Sequence, residues 1–493
     1  MKTILILSDT LNRHFLPAYG NDWVKTPNID RLAAQSVTFD NHGLGSAPCM
    51  PARRDILTGR LNFMEKAWGG MEPFDRPLTR ILRENGIFSH MVTDHYHYFH
   101  PGGENYHADF NTWELIRGQE LDCYTSLCTP PERPERIGRW NPQYAENNAS
   151  YEKEEDYPTP RTFQSAVNWL KNNEDADDYF LWVEAFDPHE PFDVPDEYLE
   201  LYGDDWDGPV YNWPRYDFID EEKFGETPEA VAHLRRRYAA GLTMMDRWLG
   251  KLLDEVERQD GLEDTMIIFT TDHGFMLGEH NCTGKNEFQC WNEQAHLPLI
   301  VHLPGSEHAG ERRSQLTQNI DIMPTLLDLY GLEAEVPMQG ESWMPILNDN
   351  APAQRIGALY GYYGKSVNWT DGKHTYFRSP ANENNQPIYQ YFLSTFGNSH
   401  HNLMGLEHYE RAELGRFLPY TDYPVLKTPH IHSKAWYDCG HFKETLLFDI
   451  EKDYAQTDNL AGTDLEAACV EQLKEEMKKH EAPAEQYERL GIK

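Results

Sequence analysis

Four short apolar runs, each ending in carboxylate or imidazole side chains, constrain the fold of this chain more than any other feature. Residues 4–7 run into Asp9, and residues 88–92 into Asp94, His95, Tyr96 and His97. Residues 180–186 run into Asp187, Pro188, His189, Glu190 and Pro191, and residues 266–269 into Asp272, His273 and Gly274. Runs of this length and composition read as buried strands. Helical patterns lie between them. Thr26 and Pro27 read as N-cap and first-turn residue of a helix reaching residue 34. Leu234, Tyr238, Leu242, Met245, Leu249, Leu252 and Val256 recur at the spacing of one long amphipathic helix. Residues 299–301 add a further strand. This alternation predicts an α/β fold with a large, mostly parallel central sheet flanked by helices. In such sheets ligands bind beyond the carboxyl ends of the strands. One strand-end aspartate is usually a turn or cap residue; four such ends together predict a metal or acid–base site.

From about residue 366 the pattern changes to short β-like stretches and a charged helix over 464–480. This predicts a catalytic domain over residues 1–365 and a smaller α+β subdomain over 366–493. Two long stretches, 101–160 and 378–440, show little periodicity, and the second carries His400, His401, His430 and His432. Loops of this length in a compact enzyme are functional, oligomer-forming or plain surface insertions.

The 493 residues include 44 Lys+Arg and 81 Asp+Glu, a formal net charge of −37. A surface this acidic argues against nucleic acid, anionic membranes and polysulfated chains as partners, while leaving room for a local cationic pocket. No segment approaches the ~18 apolar residues of a membrane helix. The N-terminal apolar run is too short for a signal peptide and has no small-residue cleavage site. Seven cysteines, an odd and sparse set, make no disulfide scaffold. These features together predict a cytoplasmic protein.

Residues 47–60 read Ala-Pro-Cys49-Met50-Pro51-Ala52-Arg53-Arg54-Asp55-Ile56-Leu57-Thr58-Gly59-Arg60. Pro51 in the first turn and Gly59 as the stop predict a short helix. Cys49 stands at its N-terminus, where unpaired N–H groups and the dipole favour an oxyanion. By this reasoning the thiol should have a lowered pKa and be a nucleophile in its own right.

Cys-x-Pro-x-Arg is also the signature at which type I sulfatases convert cysteine to formylglycine, and other motifs follow in order. Residues 26–33 look like the stretch after that family's first strand. Leu57-Thr58-Gly59 extends the maturation motif. Asp187-Pro188-His189-Glu190-Pro191 resembles its Pro-His-x-Pro element. Residues 271–280, then Gly284-Lys285 and residues 296–300, resemble its metal and lysine segment. Residues 321–329 and the stretch from Leu447 to Ala461 are similar to its closing elements. The chain thus resembles the formylglycine-dependent sulfatases of the alkaline phosphatase superfamily.

The resemblance implies an alkaline phosphatase-like sheet and a sulfuric ester hydrolase acting on a small aryl, steroid or monosulfated sugar ester. It implies that a maturation enzyme converts Cys49 to formylglycine. One oxygen of the hydrate attacks sulfur, and the second then expels sulfate. Asp9, Asp272, His273 and residue 49 would hold one divalent cation. Arg53 would hold the hydrate, and Lys285 and His189 would bind sulfate oxygens or protonate the leaving group.

Two departures stand out. The family's first strand usually ends Asp-Asp, whereas this chain has Asp9-Thr10, so Thr10 offers only a neutral hydroxyl to the metal. Calcium is the expected ion by analogy, with manganese and magnesium open because imidazole suits transition metals. Many members carry Gly-Lys-Trp-His where this chain has Asp94-His95-Tyr96-His97. A one-residue shift puts His95 and His97 on the substrate anion. The missing second aspartate also keeps a phosphonate monoester or phosphodiester hydrolase of the same superfamily as the alternative.

Overall fold

The computed structural model describes residues 1–394, 406–430 and 443–493. Eight strands form its main sheet: β1 (Lys2–Ser8), β2 (Val37–Gly43), β3 (Phe88–Thr93), β4 (Thr112–Leu115), β5 (Tyr179–Ala185), β6 (Thr265–Thr270), β7 (His296–His302) and β8 (Arg312–Gln318). They lie in the order β8-β2-β7-β6-β1-β5-β3-β4. β1 runs parallel to β5 and β6, β3 parallel to β4 and β5, and β2 parallel to β8. Only β7 runs against its neighbours. The sheet is therefore large and mostly parallel. Its first strand, which begins at the second residue, is near its centre.

The uninterrupted apolar runs follow from burial on both faces. Along β1, Ile4 and Ile6 pack with the long helix Pro228–Arg258, and Leu5 and Leu7 with the opposite layer that includes Met50, Ile56 and Leu57. All seven periodic residues from Leu234 to Val256 lie in the first layer. The helix Pro27–Ala34 forms where Pro27 predicts it, but Thr26 makes no side-chain cap bond. Asp246 of the long helix takes that role, accepting from the Asn28 and Ile29 amides at 3.1 and 2.7 Å. A buried carboxylate presented across the interface outcompetes the local hydroxyl for the same donors.

Past the main sheet, Leu446–Asp449, His374–Arg378, Val367–Thr370, Ala358–Tyr362 and the short Ser46–Ala47 form a five-stranded sheet. Its core includes Leu473 and Met477 of the helix Asp464–Lys479, together with Leu61 and Phe63. Tyr389–Phe392, Val425–Pro429 and Glu413–Gly415 form a small antiparallel sheet. The stretch 101–160 is more ordered than its composition suggests: it supplies β4 and the helix Pro142–Asn148. His400, His401 and His432 lie outside the described residues. No helix among the described residues is long and apolar enough to cross a membrane.

Candidate active site

The four strands that end in chemistry, β6, β1, β5 and β3, are consecutive neighbours, so their carboxyl ends share one edge. Asp9 follows β1 and Asp272 follows β6. The helix Cys49–Thr58 points its N-terminus at the same place, and Gly59 ends it with φ +64°. Asp9, Cys49, Asp272 and His273 bring one potential ligand atom each within 4.8 Å of one another. All four are buried.

Arg53 lies one turn into the helix and is wholly buried beneath this cluster. Its Nε donates to Glu184 at 2.6 Å, and Nη1 donates to Asp272 at 2.6 Å and the Cys49 carbonyl at 3.0 Å. Nη2 donates to Asp9 at 2.7 Å and also pairs with Glu184. A guanidinium has five N–H donors, and four of them make these hydrogen bonds. Arg53 thus fixes the carboxylates around residue 49. Glu184 was not among the sequence candidates. Its signal is a lone carboxylate inside the buried run Trp182-Val183-Glu184-Ala185, which needs donors to be buried; Arg53, the Thr93 hydroxyl and the Trp182 indole N–H supply them. Asp9, His95 and Glu184 also approach one another closely enough to hold a cation, and the Arg53 guanidinium occupies that space.

His273 donates Nδ1–H to the Gly274 carbonyl at 2.9 Å, which leaves Nε2 as the lone-pair nitrogen. Burial holds the imidazole below its ordinary pKa and hence neutral. Nε2 lies 3.2 Å from Cys49 Sγ. Lys285 reaches in from the opposite side, with Nζ 3.8 Å from Sγ and 3.0 Å from the Thr10 hydroxyl. It is aimed by the hairpin of Met276–Leu277 and Cys282–Gly284. Gly284 has φ +98°, and a Cβ there would run into the Tyr216 ring, so glycine is required where the chain turns Lys285 inward. Thr10 itself holds φ +63°, rare for a β-branched residue. Its hydroxyl donates to Asp9 at 2.5 Å and accepts from Lys285. One lone pair of the hydroxyl remains after these two bonds.

The lowered thiol pKa expected for Cys49 is contradicted. Burial, followed by Asp9, pushes it well above the ordinary value, and Lys285 and Arg53 do not compensate. Burial and the neighbouring carboxylates disfavour a plain thiolate here.

A cavity opens over the cluster. Pro48, Cys49, Trp68, Tyr96, His97, Glu120, Leu121, Arg139, His189, Tyr216, Lys285 and Asn286 line it. His97 and His189 stand on its wall, as the sequence predicts. His95 does not: it is buried behind His97, with ring centroids 4.9 Å apart and Nδ1 3.6 Å from Asp9 Oδ2. The strand ends at Thr93 and the chain then coils into a short 3-10 turn, Tyr96–Phe99, which breaks the alternation that would have put both rings on one face. Asp94 turns away as well. It accepts from the Phe186 amide at 2.8 Å and the Thr159 hydroxyl at 3.0 Å, and burial raises its carboxyl to about 7. His189 gives Nδ1–H to the Glu190 carbonyl, leaving Nε2 as the lone-pair nitrogen, and burial keeps its pKa well below the usual value. Glu120, Leu121 and Arg139 come from the stretch 101–160. Among the described residues, none from 378–440 lines this cavity.

The donor set fits a divalent cation. Two carboxylates and a bare imidazole nitrogen converge beside residue 49. Counted formally, Asp9, Asp272 and Glu184 against Arg53 and Lys285 leave one net negative charge, so a divalent ion would turn the site cationic. An anionic ester needs that sign.

A family model described as Sulfatase matches residues 2–332. The multifunctional alkaline phosphatase superfamily protein PehA of Trinickia caryophylli is 27% identical over 417 residues, covering 71% of this chain and 77% of its own. The N-acetylglucosamine-6-O-sulfatase of Bacteroides thetaiotaomicron is 23% identical over 433 residues, covering 73% and 74%. The crystal structure of a phosphonate monoester hydrolase of Agrobacterium radiobacter superposes with a TM-score of 0.68 at 20% identity, over 98% of this chain and 95% of that one. With its mostly parallel sheet, its strand-end carboxylates and its Cys49–Arg53 helix, the chain belongs to the sulfatase family.

Proposed function

We propose that this protein hydrolyses a small organic sulfate ester, with residue 49 acting as formylglycine and one divalent cation bound beside it. The observation that carries the reading is the convergence of Asp9, Cys49, Asp272 and His273 at one helix N-terminus, with Lys285 against Cys49. Asp9, Asp272, His273 Nε2 and residue 49 would hold the ion. Calcium is the ion proposed, and manganese is the one to test against it, because one donor is an imidazole. When bound, the cation supplies charge neutralisation at the ester and favours the ionised form of the hydrate. Formylglycine supplies what a thiol lacks, a second hydroxyl to release the sulfated residue.

The remaining chemistry falls to the chain's own side chains. Arg53 keeps Asp9, Asp272 and Glu184 in register beside residue 49. Lys285 adds a positive charge beside residue 49, where ester oxygens would lie. His189 presents a lone-pair nitrogen to the cavity and can take a proton there. His97 presents a second imidazole to the same space. A maturation enzyme is then a necessary partner.

A second reading, a phosphonate monoester or phosphodiester hydrolase, is favoured by Thr10. Its neutral hydroxyl stands where a second carboxylate is usual, and Lys285 is bonded to it. Protein co-produced with a formylglycine-generating enzyme decides between the readings by its relative turnover of sulfate and phosphonate esters.

A further inference from the structure

The cavity above residue 49 is built for an anion, yet one of its walls carries a carboxylate. Glu120 lines it at 9% exposure, in the left-handed backbone region with φ +43°. A glutamate gains nothing intrinsically from that conformation, and such strain persists where surrounding structure enforces it, often at binding sites. Tyr96, also on the wall, donates its hydroxyl to Glu120 Oε2 at 2.9 Å. Oε1 takes no hydrogen bond from any described residue. Arg139 shares the wall, packed over the Trp213 and Tyr216 rings at 4.8 and 4.9 Å from their centroids; its charge favours the Glu120 carboxylate against the cost of burial but places no hydrogen bond on Oε1.

Arg139 and Lys285 offset the charge of this carboxylate, but neither gives Oε1 a hydrogen bond. A hydrogen-bond donor on the alcohol part of the ester would satisfy that oxygen. An aryl or steroid skeleton without such a donor leaves Oε1 desolvated and unpaired, which is the costly case. Trp68 and Tyr96 offer apolar faces beside it, suited to a ring carrying hydroxyls rather than to a long hydrocarbon.

From this we infer that Glu120 is a specificity-determining residue: it accepts a hydrogen bond from a hydroxyl or ammonium group on the alcohol side of the ester, with Tyr96 fixing its carboxylate. The inference rests on the sulfate ester reading above and narrows its substrate class to donor-bearing alcohols.

The test compares matured wild type, Glu120→Gln and Glu120→Ala on glucose 6-sulfate and 4-nitrophenyl sulfate. The quantity read is the ratio of kcat/KM for the two esters, because folded and matured fractions cancel in it. The expected result is a ratio that falls by about 10–100-fold in Glu120→Ala, the size of a lost charge-assisted hydrogen bond, and by less in Glu120→Gln. A ratio that stays within about threefold of wild type in both variants overturns the inference. The same ratio is read as Kd on Cys49→Ala protein with and without Glu120→Ala, which needs no turnover. Absence of sulfate hydrolysis by wild type would thus count against the sulfatase reading alone, while an unchanged binding ratio would count against Glu120.

Discussion

His273 Nε2 stands 3.2 Å from Cys49 Sγ, with its other nitrogen tied to the Gly274 carbonyl. The imidazole therefore turns a fixed lone pair toward residue 49. This pairing joins the helix that opens at Cys49 to the strand end that carries Asp272. Replacing Cys49 by alanine is expected to lower turnover at least about 10³-fold, because the covalent route is lost as a whole. The melting temperature should move little, since one sulfur atom beside an open cavity is removed. Steady-state kinetics and a thermal melt check both statements.

Arg53 balances three buried carboxylates. Arg53→Met leaves Asp9, Asp272 and Glu184 together without their cation, and breaking such a network costs about 3–5 kcal/mol. Urea unfolding measures it. A loss under about 1 kcal/mol would mean that the three acids are not charged together, contrary to the geometry.

Metal binding should appear in stability before any substrate is added. After chelation, returning calcium or manganese at about 100 times its Kd adds about 2.7 kcal/mol to the folded state, a shift of a few degrees for a chain of this size. Asp272→Asn should abolish the shift. Manganese producing a larger shift than calcium at equal concentration would assign the site to the transition metal.

His42 gives a pH dependence of known sign. It is buried between Thr317 and Asn319, at 3.0 Å from each, and burial lowers its pKa to about 4. The unfolded chain, with a histidine near 6.5, then binds more protons than the folded one below that pH. The contribution is present above pH 6.5 and is lost as the pH falls toward 4. Between pH 7 and 5 this single group accounts for about 2 kcal/mol. The stability difference between wild type and His42→Gln should shrink by that amount on acidification, as read from urea midpoints.

The central strands were legible because length and composition agree there: a run such as residues 4–7 is too short for a signal peptide and ends in an aspartate, as a strand buried on both faces does. The cluster of Asp9, Cys49, Asp272 and His273 was legible because each member follows a strand or opens a helix, and motif order pointed to them together. What escaped depended on three-dimensional packing. Thr26 lost its capping role to Asp246, 220 residues away in the chain. His95 and His97 parted because a turn replaced the end of a strand. Glu184 was hidden by its own neighbours, where a charged residue reads as an interruption rather than as an anchor for Arg53. Cys49 showed the limit of a local rule: position at a helix N-terminus argues for a thiolate, but burial and Asp9 raise the thiol well above its ordinary value. Glu120 and Arg139 sit in a stretch without periodicity, and no pattern points them at the cavity.

The most direct test of the whole account is turnover of 4-nitrophenyl sulfate beside 4-nitrophenyl phenylphosphonate, on calcium- or manganese-loaded protein co-produced with a formylglycine-generating enzyme, with Cys49→Ala as control. The account predicts that the sulfate ester is strongly preferred and that the activity disappears in the control. Preference for the phosphonate, or activity that survives the loss of Cys49, would contradict it.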